Sequence, residues 1–266
     1  MDEATQLLAQ PGVFSKAIAG SQSLAPMLNL RLAQPELLVD ITAIPELRAV
    51  SEQRGYVDIG ACVTHADVED GRIPDVARGL LSFVAGRIAY RAVRNRGTVG
   101  GSLAHADPAA DWVSVFPLLG AEVNVRSRRG TRTVAAENLM VSSFITVLQP
   151  DELIHTIRVP KISARARWGF CKFNQKAGEF AHAIGGILHE PDNGRFRAVI
   201  GAIETAPIVA TDARALFGGP FNSDIADRLD ERAVLDLLDA KGVQDEYNRR
   251  LVLVALKRAA KQASGS

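Results

Sequence analysis

Two short segments rich in glycine and hydroxyl residues have the clearest potential for chemistry. They are residues 19–24 (AGSQSL) and residues 97–102 (GTVGGS). A pyrophosphate needs several donors within about 3 Å, and consecutive backbone N–H groups of such turns can supply them. The serine and threonine hydroxyls of both segments add further donors. Either segment alone is more typical of a tight turn, but the two together predict a diphosphate site.

Neither loop matches the common nucleotide-binding motifs. The sequence has no G-x-G-x-x-G after a strand and no G-x-x-x-x-G-K-[ST]. A Rossmann fold and a P-loop are therefore not supported.

Histidine and carboxylate side chains cluster at His105, Asp107 and Asp111, where a metal site is an alternative. Their helical spacing does not place all three on one face, so we expect no metal here. The histidines at positions 65, 155, 182 and 189 have no serine or cysteine partner in a recognisable catalytic motif. We therefore predict no hydrolase and no catalytic residue.

The composition is that of an ordinary globular protein and gives no indication of a charged partner. Thirty-one Lys and Arg residues against thirty Asp and Glu give a net charge of +1, which favours neither nucleic acid nor an anionic membrane. Cys62 and Cys171 lie far apart and suit neither zinc nor an iron–sulfur cluster. With no secretory signal and no membrane span apparent, we expect a cytoplasmic protein.

The elements around the first loop predict a strand–helix–strand unit. A strand at residues 13–20 leads into the loop, a helix follows at 24–32, and a second strand lies at 37–41. Such units usually pair their strands in parallel. After the second loop, residues 105–120 are expected to form one helix, with Pro108 in its first turn.

The second half of the chain predicts antiparallel structure. Residues 121–136 alternate apolar and polar positions around a glycine turn, as in a hairpin, and a further strand follows at 152–160. Strand-like pieces continue through residues 168–210, and two helices are expected between 232 and 261. We place a domain boundary near residues 160–166, which gives domains 1–162 and 163–266.

Four segments carry a family resemblance. Residues 19–41, 60–69, 94–112 (RNRGTVGGSLAHADPAADW) and 176–183 resemble the FAD-binding medium subunit of bacterial molybdenum hydroxylases, a family that includes carbon-monoxide and xanthine dehydrogenases. The resemblance implies an α+β fold. A vanillyl-alcohol-oxidase-like FAD-binding domain of two α/β subdomains would precede a C-terminal α+β domain with an antiparallel sheet and terminal helices.

The resemblance also implies roles for single residues. Both loops would wrap the FAD diphosphate, Asp111 would accept a ribose hydroxyl near the adenosine end, Leu153 and Ile154 would pack near the adenine, and Lys172 would lie close to the flavin. The implied cofactor-binding residues are Ala19, Gly20, Ser21, Gln22, Ser23, Leu24, Thr98, Val99, Gly100, Gly101, Ser102, Asp111, Leu153, Ile154 and Lys172. The alternatives are a solvated helix-face charge for Asp111, core strand residues for the apolar pair and a surface lysine for Lys172.

Three departures from the family pattern concern the flavin site. Ser21 replaces a glycine, which removes backbone freedom but adds a hydroxyl. Residues 90–93 (YRAV) replace polar residues that often precede the second loop. Gln22 stands where covalently flavinylated relatives carry histidine, so we predict non-covalent FAD.

These points predict the flavoprotein subunit of a larger complex. A large subunit would hold the molybdenum cofactor and a small subunit the [2Fe-2S] clusters, in a heterotrimer or its dimer. Two distant cysteines cannot hold those clusters. The alternatives are a self-contained FAD-dependent oxidase of the vanillyl-alcohol-oxidase type and a flavin-free scaffold.

Overall fold

The computed structural model describes residues 1–265 of the chain. The helices are α1 Asp2–Leu8, α2 Leu24–Asn29, α3 Pro45–Arg48, α4 His65–Glu69, α5 Leu80–Ala85, α6 Arg91–Arg94, α7 Val99–His105, α8 Trp112–Leu119, α9 Glu231–Ala240 and α10 Glu246–Ser264. The strands are β1 Ser15–Ile18, β2 Leu37–Asp40, β3 Val50–Glu52, β4 Tyr56–Gly60, β5 Glu122–Ser127, β6 Gly130–Ala135, β7 Met140–Ser142, β8 Ile145–Thr146, β9 Leu153–Pro160, β10 Arg167–Phe173, β11 Ala183–Glu190, β12 Arg195–Gly201 and β13 Ile208–Ala210.

A small parallel unit forms the N-terminal end of the fold. Strands β1 and β2 pair in parallel, with Ser15 opposite Leu37 and Ile18 opposite Asp40. Helix α2 lies in the connection between them, as a parallel pair requires. The predicted strand–helix–strand unit is therefore confirmed, with shorter elements than the sequence suggested.

A five-stranded sheet follows, in the order β3-β4-β9-β5-β6. All four neighbouring pairs are antiparallel. The predicted hairpin is β5 and β6, and in β5 the buried Val123 and Val125 alternate with more exposed residues. This alternation buries one face of the hairpin in the core.

The C-terminal sheet, in the order β10-β11-β12-β13, is covered on both faces. It is antiparallel throughout, as predicted. Adjacent glycines of β11 face opposite layers: a Cβ at Gly185 would lie 2.5 Å from the Ala255 carbonyl carbon of α10, and one at Gly186 would lie 2.9 Å from Leu118 of α8. Since α8 belongs to the N-terminal half, the sheet packs against both parts of the chain.

The single helix predicted for residues 105–120 is wrong. Helix α7 ends at His105, and α8 begins at Trp112. Ala106 adopts a left-handed conformation with φ 52°, and the Asp107 carboxylate accepts a hydrogen bond from the Ala109 N–H at 2.9 Å. This local turn prevents the helix from continuing and separates α7 from α8.

Among residues 1–265, no helix combines the length and the apolar character that a membrane span needs.

Candidate functional site

The two predicted loops meet through bare backbone. The first loop leaves β1, and its Gly20 is buried against the second. A Cβ at Gly20 would lie 1.9 Å from the Arg96 carbonyl oxygen and 2.8 Å from Gly97 Cα. No side chain fits at position 20, so glycine is what allows the loops to touch.

The first loop presents unused donors. Within residues 1–265, the backbone N–H groups of Gly20, Ser21, Gln22, Ser23 and Leu24 donate to no acceptor of the chain. Ser21 adopts φ 61°, a left-handed conformation that non-glycine residues seldom take, and this turns the chain back towards α2. A row of free N–H groups in a turn is suited to binding an anion.

The second loop is fixed to the segment that follows β4. Val99 N–H donates to the Val63 carbonyl at 3.0 Å, Gly100 N–H donates to the Ala61 carbonyl at 2.9 Å, and His65 N–H donates to the Gly97 carbonyl at 2.9 Å. These bonds form a short antiparallel bridge that holds the loop in place.

The N–H groups of the second loop are largely consumed inside the chain. Thr98 caps α7: its hydroxyl accepts from Gly101 N–H at 3.1 Å, and its carbonyl accepts from Ser102 N–H at 3.0 Å. The expectation that this loop offers consecutive free N–H groups is therefore wrong. In its described residues, the Thr98 N–H, the Thr98 hydroxyl and the Ser102 hydroxyl are the donors that no protein acceptor takes.

Asp111 and Lys172 form a buried ion pair that joins the two halves of the chain. The Lys172 ammonium lies 2.8 Å from Asp111 Oδ2, and the side chains are only 6% and 4% exposed. Burial raises the pKa of Asp111 above its ordinary value, against the opposing effect of the Lys172 charge. The surface alternatives for both residues are therefore wrong, and the two side chains lie in direct contact.

One oxygen of Asp111 is left without a partner. Oδ1 is buried and receives no hydrogen bond from the described residues. A buried carboxylate oxygen without a donor is costly, so this site is suited to a ligand hydroxyl or N–H group. Together with the free N–H groups of the first loop, it fits a cofactor that carries both a diphosphate and hydroxyl groups.

Leu153 and Ile154 begin β9 in the main core. Both are 5% exposed, and Ile154 pairs with Val125 of β5. The backbone carbonyl of the next residue, His155, accepts a hydrogen bond from Ala61 N–H at 3.0 Å. Ala61 also packs against Gly100. The apolar pair is therefore part of the core and lies next to Ala61, whose carbonyl holds the second loop.

His65 and Trp112 are site-supporting residues that the sequence analysis missed. Trp112 Nε1 donates to His65 Nδ1 at 3.0 Å, and both side chains are buried. Burial and the nearby Arg94 charge lower the pKa of His65 to about 4, so the ring is neutral near pH 7. The available signal was THAD at 64–67, where Thr64 and Asp67 form a capping box that places His65 at the start of α4.

Other features of the surface lie away from the loops. Two open depressions at the junction of the halves are lined by Arg78, Ala166 and Arg167 among others, and neither includes a loop residue. Within residues 1–265, no three His, Cys, Asp or Glu side chains approach closely enough to hold a metal ion.

The linked loops fit a diphosphate cofactor, and a four-stranded antiparallel sheet follows them in the chain. Residues 1–162 match the family model described as the FAD binding domain in molybdopterin dehydrogenase. The chain belongs to this family, the FAD-binding medium subunits of molybdenum hydroxylases. The resemblance, the fold class and the function class predicted from the sequence are therefore confirmed.

Named relatives agree with this assignment along the chain. The nicotine 6-hydroxylase medium subunit of Paenarthrobacter nicotinovorans is 34% identical over 94% of this chain and 89% of its own length. The carbon monoxide dehydrogenase medium chain of Hydrogenophaga pseudoflava is 39% identical over 68% of this chain and 63% of its own length.

Two solved structures have the same fold. A chain of carbon monoxide dehydrogenase from Hydrogenophaga pseudoflava, in a form that lacks the Mo-pyranopterin moiety, superposes with a TM-score of 0.86 at 31% identity, covering 99% of this chain and 94% of that one. Quinoline 2-oxidoreductase from Pseudomonas putida 86 gives a TM-score of 0.85 at 29% identity, covering 100% and 94%.

Proposed function

We propose that this chain binds FAD non-covalently between loops 19–24 and 98–102 and passes electrons from a partner's iron–sulfur clusters to an external acceptor. The observation that carries the proposal is the row of five free N–H groups in the first loop, held against the fixed backbone of the second. When bound, FAD supplies the redox chemistry that links one-electron donors to an acceptor.

The two loops have different tasks in this proposal. The first supplies most of the hydrogen bonds to the diphosphate, from residues 20–24. The second is fixed by its hydrogen bonds to the chain, and its remaining donors are the Thr98 N–H, the Thr98 hydroxyl and the Ser102 hydroxyl. Gln22 is occupied by a hydrogen bond from its side-chain amide to the Gly20 carbonyl at 2.8 Å, and an amide forms no covalent bond to the flavin.

The residues outside the loops act on the remainder of the cofactor. Asp111 Oδ1 accepts a hydrogen bond from the ligand, and the buried Lys172 ammonium favours negative charge in its low-dielectric surroundings. Leu153 and Ile154, which are buried at the start of β9, form part of the apolar core behind the site.

The clusters must come from another chain. Cys62 and Cys171 are free thiols, and burial raises the pKa of Cys62 to about 11 and that of Cys171 above its ordinary value. Cluster ligation needs thiolates, which these surroundings disfavour. We infer a small [2Fe-2S] subunit and a large molybdenum-binding subunit as partners, in a heterotrimer or its dimer.

The choice of substrate belongs to the large subunit. Relatives of this chain are named for nicotine and caffeine, which are nitrogen heterocycles, and for carbon monoxide, which is a diatomic gas. A subunit of one type that serves such different substrates does not select among them. We further infer a cytoplasmic complex, because both cysteines are free and suit a reducing compartment.

Titration of the purified full chain with FAD tests the binding proposal. Flavin fluorescence should be quenched on binding, and acid precipitation should leave all of the flavin in the supernatant. Flavin that stays with the precipitated protein would contradict non-covalent binding, and unquenched fluorescence would contradict the site itself.

A further inference from the structure

A second buried pair, made of residues other than Asp111 and Lys172, packs against Gly97 of the second loop. Trp112 is fully buried at the start of α8, and its indole N–H donates to Nδ1 of His65, which is 5% exposed. The indole is itself fixed by stacking on Phe116, with ring centroids 5.1 Å apart. The indole N–H of Trp112 is therefore held in one position.

His65, Gly97 and Gly20 form three successive layers. A Cβ at Gly97 would lie 2.9 Å from the His65 ring, and a Cβ at Gly20 would lie 2.8 Å from Gly97 Cα. The backbone N–H of His65 also holds the Gly97 carbonyl at 2.9 Å. The imidazole thus packs against Gly97, which in turn contacts Gly20 of the first loop.

The indole N–H fixes the orientation of the imidazole. A neutral histidine has one acceptor and one donor nitrogen, and an N–H pointing at Nδ1 requires the proton to be on Nε2. Rotation of the ring by half a turn would replace Nδ1 by a carbon atom and leave the buried indole N–H without a partner, which is unfavourable. The ring that supports Gly97 is therefore held in one orientation.

We propose that His65 and Trp112 are positioning residues. They set the position of Gly97 relative to Gly20 and thereby the affinity for FAD. The inference rests on the proposed function, because the affinity concerned is that of the first-loop N–H groups. Neither residue was assigned a contact with the cofactor. They act through the backbone of residues 96–97, on which the first loop lies.

The substitution Trp112→Phe tests this role by removing the indole N–H while keeping an aromatic ring. We expect FAD binding to the full chain to weaken about tenfold, because an imidazole that is free to turn no longer holds Gly97 in place against the first loop. Trp168→Phe is the matched control, since Trp168 Nε1 donates to the Arg78 carbonyl at 2.9 Å, away from the loops. The control should change FAD affinity less than about twofold.

Equal affinity losses in the two variants, or no loss in Trp112→Phe, would overturn the inference. If Trp112→Phe does not fold, nitrogen-15 NMR of the wild-type chain decides: His65 must carry its proton on Nε2, and the Trp112 indole signal must shift when FAD is added. A proton on Nδ1, or an indole signal that does not shift when FAD is added, would overturn the inference. Failure of the wild-type chain to bind FAD would instead refute the proposed function, whereas the tautomer would still report on the pair.

Discussion

Gly20 lies directly against the carbonyl group of Arg96, so that the two loops of the site share a contact with no side chain between them. The contact brings the free N–H groups of residues 20–24 beside a backbone that is fixed by the segment after β4. The site therefore depends on the close approach of two turns more than on any single charged residue.

Gly20→Ala should abolish this approach. The added methyl group would overlap the Arg96 carbonyl, and one loop would have to move. We expect FAD affinity to fall at least about 100-fold, which corresponds to the loss of two or more hydrogen bonds. Gly55→Ala is the control, because a Cβ there meets nothing within 4 Å, and it should leave affinity unchanged. Tight FAD binding by Gly20→Ala, measured by fluorescence quenching, would show that the loops are not linked in this way.

Ser21 should store backbone strain. Its φ of 61° costs a residue with a Cβ about 1 kcal/mol relative to glycine. Ser21→Gly and Ser21→Ala both lose the hydroxyl, which donates to the Ala19 carbonyl at 3.3 Å, so their comparison isolates the strain. In urea unfolding, the glycine variant should be the more stable by about 1 kcal/mol. Equal stability of the two variants would mean that position 21 is unstrained.

Lys172→Met should destabilise the chain strongly, because it leaves the Asp111 carboxylate buried without its cation. The expected loss in the free energy of unfolding is about 3–5 kcal/mol. Adding Asp111→Asn removes the uncompensated charge, so the double variant should recover a large part of that loss. A double variant whose loss equals the sum of the two single losses would refute the coupling.

Acidification should weaken the fold through His65. Its pKa is about 4 in the folded chain and 6.5 in the unfolded one, so the unfolded state binds more protons between these values. The contribution of a neutral His65 is complete above pH 6.5 and is lost as the pH falls to 4, by about 3 kcal/mol in all.

His65→Asn isolates this contribution, because the other titrating groups remain in both proteins. The difference in unfolding free energy between wild type and variant should be constant above pH 7 and shrink as the pH falls towards 4. Parallel pH profiles for the two proteins would show that His65 keeps its ordinary pKa.

Local patterns predicted much of the fold. The parallel pairing of β1 and β2 follows from a strand–helix–strand pattern, and the β5–β6 hairpin follows from alternation around a glycine turn. Each signal is contained in one continuous stretch of sequence, residues 15–40 for the first and 122–135 for the second. The break between α7 and α8 was missed because it depends on the left-handed Ala106 and the Asp107 turn, which periodicity does not detect.

The geometry of the site depends on contacts between distant residues. Asp111 and Lys172 are each unremarkable polar residues in sequence, and only packing of α8 on the C-terminal sheet brings them together. In the second loop, the N–H groups were predicted to be free because the sequence does not show that the carbonyls of Ala61 and Val63 accept from them. The glycine pattern therefore predicted the place of the site, but not which loop supplies the donors.

The most direct test of the central claim is an absorbance spectrum of the protein purified from its native host without denaturants, together with the subunit pattern on a gel. We predict flavin bands overlaid by iron–sulfur absorbance, with one larger and one smaller companion chain. A lone yellow chain whose flavin is reduced by a small organic alcohol would contradict the account and favour a self-contained oxidase, and a colourless complex would contradict FAD binding itself.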